Sequence, residues 1–324
     1  MERFRTLAAR AFVLSLLMIA NPVQARERVN VVYASISGLF LASWVAQEGG
    51  YFAKEDLDVN LVYIQSATIA IQAMLAGEAP IVLAGGEPVI ESGLKGGDAI
   101  FIGGISIVPA VHFMALPEIK TVQDLKGKSV GVTRFGSSTD YAMRQVLRKN
   151  GLEPVKDVTV LQIAGGHRGL ATALLNRSIS AATIAPPNSL RAEKGGAKLL
   201  LDMAKSGIYF PYSTIASTRA FVKNRRPVAV GFMKAYSEGI KRMNADKHFS
   251  IGVIKKYMRE EEPEILDTIY KYGVEFITRI PEPNKEGVAE VLRQSSDPKA
   301  KTATPESFMD ESVVRELLQK GLYR

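Results

Sequence analysis

The sequence predicts an α/β protein made of two units, each with a mostly parallel sheet covered by helices on both faces. Three observations lead there. Short β-branched runs alternate with helical segments through brief loops, which is the pattern of parallel sheets. The alternation stops and restarts in the middle of the chain. The length of 324 residues divides into about two domains.

The first unit opens with a buried strand at Val29–Tyr33, short, β-branched and bounded by Ala34-Ser35. A helix follows over Leu39–Gln47 and closes at Gly49-Gly50, and Val59–Ile64 is the second strand. Ser66–Leu75 reads as a helix, with Ser66 or Thr68 placed to cap it and Gly77 to end it. Ile81–Ala84 is a third strand, leading into the turn Gly85-Gly86-Glu87-Pro88. A helix over Val89–Leu94 ends at Gly96-Gly97, and Ile100–Ile107 returns as strand. The second unit repeats the alternation: strand Ser129–Thr133, helix Thr139–Lys149, strand Val158–Ile163, helix His167–Leu175 and strand Ala181–Ile184. Beyond Tyr212 the pattern turns helical, over Val228–Asn244, Ser250–Met258, Glu264–Tyr272 and Ser312–Lys320. Pro281 to Pro305 holds four prolines and little periodicity, so it is expected to be surface connection.

The N-terminus has the layout of a secretory signal peptide over residues 1–25. Arg3, Arg5 and Arg10 precede the apolar run Ala11–Ala20, Asn21-Pro22 breaks any helix, and Val23-Gln24-Ala25 offers small residues for cleavage. The run is about half the roughly 20 residues that span a bilayer. Cleavage leaves 299 residues, and the expected location is the periplasm. The chain has no cysteine, so no disulfide, thiolate nucleophile or lipid-bearing cysteine is expected. The net charge of +8 comes from cations scattered among acids, without the basic stripe and interleaved aromatics of a nucleic-acid binder. His112, His167 and His248 are far apart and lack metal-ligand spacing. No nucleophile–base pair stands out. Neither a cofactor nor a metal is expected, and Glu260-Glu261-Glu262 is read as solvated surface ahead of Pro263.

A family resemblance emerges from ordered motifs. Trp44-Val45-Ala46-Gln47-Glu48-Gly49-Gly50-Tyr51-Phe52 and then Leu57-Asp58-Val59 resemble the opening of the nitrate/sulfonate/taurine-type solute-binding proteins, a group that includes thiamine-pyrimidine-synthase-like proteins. Gln72 to Glu78, Asp124 to Val132, Phe135 to Asp140 and Pro305 to Asp310 follow in the family's order, so the resemblance covers residues 29–324. It implies a type II periplasmic-binding-protein fold. Lobe 1 would be residues 26–110 plus 210–324 and lobe 2 residues 111–209. Hinge segments would lie near Val108–Ala115 and Gly207–Thr214, with the ligand cleft between the lobes. Two departures matter. Ala181-Ala182 stands where many relatives carry an acid, which disfavours a cationic ligand. The cysteine-rich iron motif of the pyrimidine-synthase branch is missing, so its chemistry is not carried over.

In open α/β sheets ligands sit beyond the C-terminal strand ends, where helix N-termini present free N–H groups. Gly136-Ser137-Ser138-Thr139 has that position, although Ser138 or Thr139 would serve equally as an ordinary helix cap. Equivalent turns contribute Ser35, Ser37 and Gly38; Ser66, Ala67 and Thr68; Gly86 and Glu87; His167 and Arg168, the strong cation candidates; and Pro186 in the turn bordering the cleft. These are the expected ligand contacts. The expected function is capture of a small organic solute, more readily an anion, and its delivery to the membrane permease of an ABC importer by a monomeric, non-catalytic protein. A sensor subunit and a pyrimidine-precursor enzyme are the alternatives.

Overall fold

The computed structural model describes residues 25–323, so all but the last residue of the expected signal peptide, residues 1–25, lies outside the described residues. Two five-stranded sheets organise the chain. The first contains β1 (Glu27–Tyr33), β2 (Leu57–Tyr63), β3 (Ile81–Ala84), β4 (Ala99–Ser106) and β10 (Ser213–Thr218), in the order β2-β1-β3-β10-β4. The second contains β5 (His112–Ala115), β6 (Ser129–Val132), β7 (Thr159–Gln162), β8 (Ala181–Ile184) and β9 (Lys198–Asp202), in the order β7-β6-β8-β5-β9.

Each sheet is parallel except for one strand, and that strand is the one entering from the other sheet. β10 runs antiparallel to both β3 and β4, and β5 runs antiparallel to both β8 and β9. The reason is geometric. β4 delivers the chain at the C-terminal edge of the first sheet, so it reaches the second at its facing edge and must run back through it. The return crossing obeys the same constraint. The two crossings lie side by side, joined by Phe210 N–H to Ile107 O (3.1 Å) and Met203 N–H to Val111 O (3.1 Å).

Burial follows the apolar pattern. β4 is buried along its whole length, and Ile81, Val82 and Leu83 of β3 are fully enclosed. The long helix Arg226–Ala245 lays Phe232 and Tyr236 into the core, where Phe232 stacks on Phe52 at 5.2 Å. Trp44, fully buried on the helix Leu41–Glu48, stacks on Tyr257 at 5.1 Å. That contact fixes the helix Lys247–Met258 against the first sheet and brings its last residue to the cleft.

The structure departs from the expected elements at several places. β5, β9 and β10 are strands in segments where no strand was expected; β5 lies inside one expected hinge stretch and β10 begins at the end of the other. The Pro281–Pro305 stretch contains a helix, Lys285–Gln294. Asn284 Oδ1 caps it by accepting the Gly287 amide (2.5 Å), and Val288, Val291 and Leu292 bury one face. A single short apolar stripe between prolines is too brief to stand out in sequence, yet burial against the first unit stabilises it.

Candidate functional site

A cavity of about 370 Å³ lies between the two sheets, at the C-terminal edges of both. β1 delivers Ala34 to Ser37, β2 delivers Tyr63 and Gln65 to Ala67, and β3 delivers Ala84 and Gly85. From the opposite sheet come Thr133 and Ser137 to Thr139 after β6, Gly165 to Arg168 after β7, and Pro187, Asn188 and Arg191 after β8. Tyr212 and Ser213, where the chain crosses back, line the floor, while Leu39, Phe40 and Met258 add apolar wall.

Helices begin at this cavity. Ala67–Leu75, Ser138–Lys149 and Gly166–Leu175 all start on its wall. First-turn amides have no intrahelical acceptor and carry the positive end of the macrodipole, so the wall favours an oxyanion. Its charged groups are Arg168 and Arg191, and no carboxylate lines it. Two buried hydroxyls on the wall, Ser66 Oγ and Ser213 Oγ, have no hydrogen-bond partner among the described residues. Each hydroxyl therefore keeps a proton that it can donate.

Local hydrogen bonding decides what the other groups offer. Ser137 is the N-cap residue of its helix but makes no side-chain cap bond. Thr139 Oγ1 instead accepts the Thr133 amide (3.1 Å) and contacts the hydroxyls of Thr133 (2.8 Å) and Ser137 (2.9 Å). Ser138 reaches across the cleft, with its Oγ 2.6 Å from Glu87 Oε2 and 3.2 Å from Tyr212 O. Gln65 also spans the cleft: with its carboxamide oriented toward its donors, the oxygen accepts the amides of Gly165 (2.9 Å) and Gly166. His167 Nδ1 accepts the Ala185 amide (3.2 Å). Desolvation pulls the pKa of this imidazole down to about 4. The expected cation at His167 is therefore a neutral ring at pH 7, with the proton on Nε2. Arg168 has no ion-pair partner among the described residues, and Arg191 pairs with Glu260. Glu260 is not the solvated residue expected. It is buried, and its Oε1 accepts the amides of Glu261 (2.9 Å) and Glu262 (3.1 Å).

Of the residues expected from sequence, Ser35, Ser37, Ser66, Ala67, Ser137, Ser138, Thr139, His167 and Arg168 line the cavity. The others stand off its wall for local reasons. Gly38 is packed under the Ile269 carbonyl and the Tyr272 ring. Thr68 is one position inside its helix, where the rotation per residue turns it from the wall. Gly86 donates to Pro211 O (2.9 Å), and Gly136, at φ +72°, donates to Asp140 Oδ2 (2.9 Å). Glu87 lies behind Gly85 and Ser138, and Pro187 rather than Pro186 forms the wall. Tyr63, Tyr212 and Arg191 also line the cavity and were not expected from sequence. Gln65 opens the turn Gln65-Ser66-Ala67-Thr68 that the sequence marks beyond β2, whereas Arg191 sits one turn into the helix Asn188–Lys194, seven positions past β8, and reaches the cavity only through the tertiary fold.

The NMT1/THI5-like family profile matches residues 39–247. A Bacillus subtilis protein designated as binding aliphatic sulfonates is 28% identical over 221 residues, covering 67% of this chain and 65% of its own. Among solved structures, the alkanesulfonate-binding protein SsuA of Xanthomonas axonopodis pv. citri, bound to MOPS, superposes with a TM-score of 0.69 at 18% identity, over 82% of this chain and 90% of that one. The periplasmic nitrate-binding protein NrtA of Synechocystis PCC 6803 superposes with a TM-score of 0.72 at 13% identity, over 92% and 89%. The chain belongs to the NMT1/THI5-like family and has the two-lobed fold of the periplasmic binding proteins.

Proposed function

We propose that this protein is the solute-capturing component of an ABC importer, and that it takes a small organic anion carrying a sulfonate- or carboxylate-like group. The observation that carries this reading is the cavity wall: helix starts, unpartnered hydroxyls and two arginines, with no carboxylate among the lining residues. A volume of about 370 Å³ is at the small end of ligand sites. The alkanesulfonate and nitrate binders that share the fold support an anionic ligand. Capture between two lobes and release to a membrane permease needs no bond chemistry. The proposed lobes are residues 26–110 with 210–324, and residues 111–209. The proposed protein is a monomer, exported to the periplasm by residues 1–25, with the permease as its partner.

The test is calorimetry and thermal shift on residues 26–324 against methanesulfonate, butane-1-sulfonate, MOPS, short carboxylates, nitrate and a neutral pyrimidine. An anion at a hundred times its Kd should add about 2.7 kcal/mol of stability. Stabilisation by the pyrimidine alone, with every anion silent, would overturn the reading.

A further inference from the structure

The buried carboxyl of Glu87 is the group at this site that an anion binder should least want. It opens the helix Glu87–Leu94 of the first sheet and meets Ser138 of the second. Gly85 makes the approach possible, because a Cβ there would come within 1.8 Å of Ser138 Oγ. Glu87 Oε1 is buried with no partner among the described residues. An ionised carboxylate in that position would leave one charged oxygen unpaired, which is costly. It would also capture the single proton of the Ser138 hydroxyl and turn lone pairs toward the cavity.

We propose that Glu87 is a positioning residue that selects for an anion without touching it: as the neutral acid it donates to Ser138 Oγ and frees the Ser138 hydroxyl proton for a ligand oxygen. This rests on the anion reading above. In the empty cavity the same proton goes to the Tyr212 carbonyl oxygen at 3.2 Å. The surroundings hold the acid form. Burial raises the pKa of Glu87 to about 8, against the smaller opposing effect of the Ser138 bond, and the charge of Asp140 adds to the rise. Asp140, itself buried, is tied to Arg144 (2.7 Å) and the Gly136 amide. The other titratable groups facing Glu87, Tyr141 from the same helix as Ser138 and Tyr212 from the crossing segment, are both pushed upward and stay neutral.

Binding should therefore require the proton on Glu87 and weaken as pH rises through about 8. The experiment is titration of residues 26–324 with butane-1-sulfonate, which stays ionised throughout, from pH 6.5 to 9.5, with proton uptake measured in buffers of different ionisation enthalpy. The wild type should lose affinity by about thirty-fold by pH 9.5 and take up about one proton per ligand near pH 9. Glu87→Gln, which keeps a donor toward Ser138, should bind with a flat profile and no uptake. Ser138→Ala, should the Gln variant fold poorly, should bind more weakly and also lose the pH slope. A flat wild-type profile, or uptake unchanged in Glu87→Gln, overturns the proposal and leaves the anion reading intact. Failure of the wild type to bind any anion at pH 6.5 removes both.

Discussion

Ser66 carries two costs that folding alone does not require. Its backbone sits at φ +137°, a region that glycine tolerates and other residues do not, and its buried hydroxyl has no partner among the described residues. Strain of this kind costs about 1–3 kcal/mol and persists at functional positions. Ser66→Gly relieves the backbone while deleting the hydroxyl. The expected outcome is a Tm higher by a few degrees with butane-1-sulfonate binding weakened by roughly ten-fold, read by calorimetry and thermal melts. A gain in stability with unchanged affinity would remove Ser66 from the ligand contacts. The sequence marked this residue as part of a strand-to-helix turn, but neither the positive φ nor the empty hydroxyl was legible there. Both depend on where β2 and the next helix are held by the rest of the sheet.

At the scale of elements, the strand ends were legible and the cleft contacts were not. Periodicity located β1, β2, β3, β6 and β8 and the helices that follow the first four, because each is a continuous local pattern. β5 and β10 escaped because each is a crossing strand whose pairing is entirely non-local. The same distinction governs Gly85. In sequence it is one glycine of a turn, while in the fold it is the gap through which Ser138 meets Glu87. Gly85→Ala should therefore obstruct the approach of the second sheet more than it disturbs its own. The expected result is butane-1-sulfonate affinity reduced by more than ten-fold, with a ligand-free Tm within about 2 °C of wild type, measured by calorimetry and thermal melts. A large drop in ligand-free Tm with preserved affinity would show that the glycine serves the first sheet instead.

Across the whole molecule, contacts of different kinds tie the two sheets together. Deep in the cleft are the hydrogen bonds of Ser138 with Glu87 and of Gln65 with the Gly165 and Gly166 amides. At the mouth, Arg191 pairs with Glu260 and Lys194 with Glu262 (2.7 Å). Glu260 is only 9% exposed, whereas Arg191 is 48% exposed, so the pair is stronger than a surface bridge but partly screened. Glu260→Gln should speed ligand release by roughly five-fold and flatten its salt dependence, as seen by stopped-flow dissociation of butane-1-sulfonate at 20 and 500 mM NaCl. Identical release rates in both proteins at both salts would show that this pair does not hold the mouth closed.

The sequence by itself determined the α/β class, the restart that makes two units, the turns that carry the hydroxyls and, through ordered motifs, the family. These are properties of neighbouring residues: β-branched runs, helical spacing and glycine turns act over a few positions and read directly from the chain. Only the tertiary structure decided that Glu87 faces Ser138, that Glu260 is buried against Arg191, and that His167 is neutral. Each depends on residues dozens of positions apart being packed together, and packing sets the desolvation and pairing that fix a side chain's charge. The charge inside the cleft, and with it the ligand class proposed here, is a property of the fold.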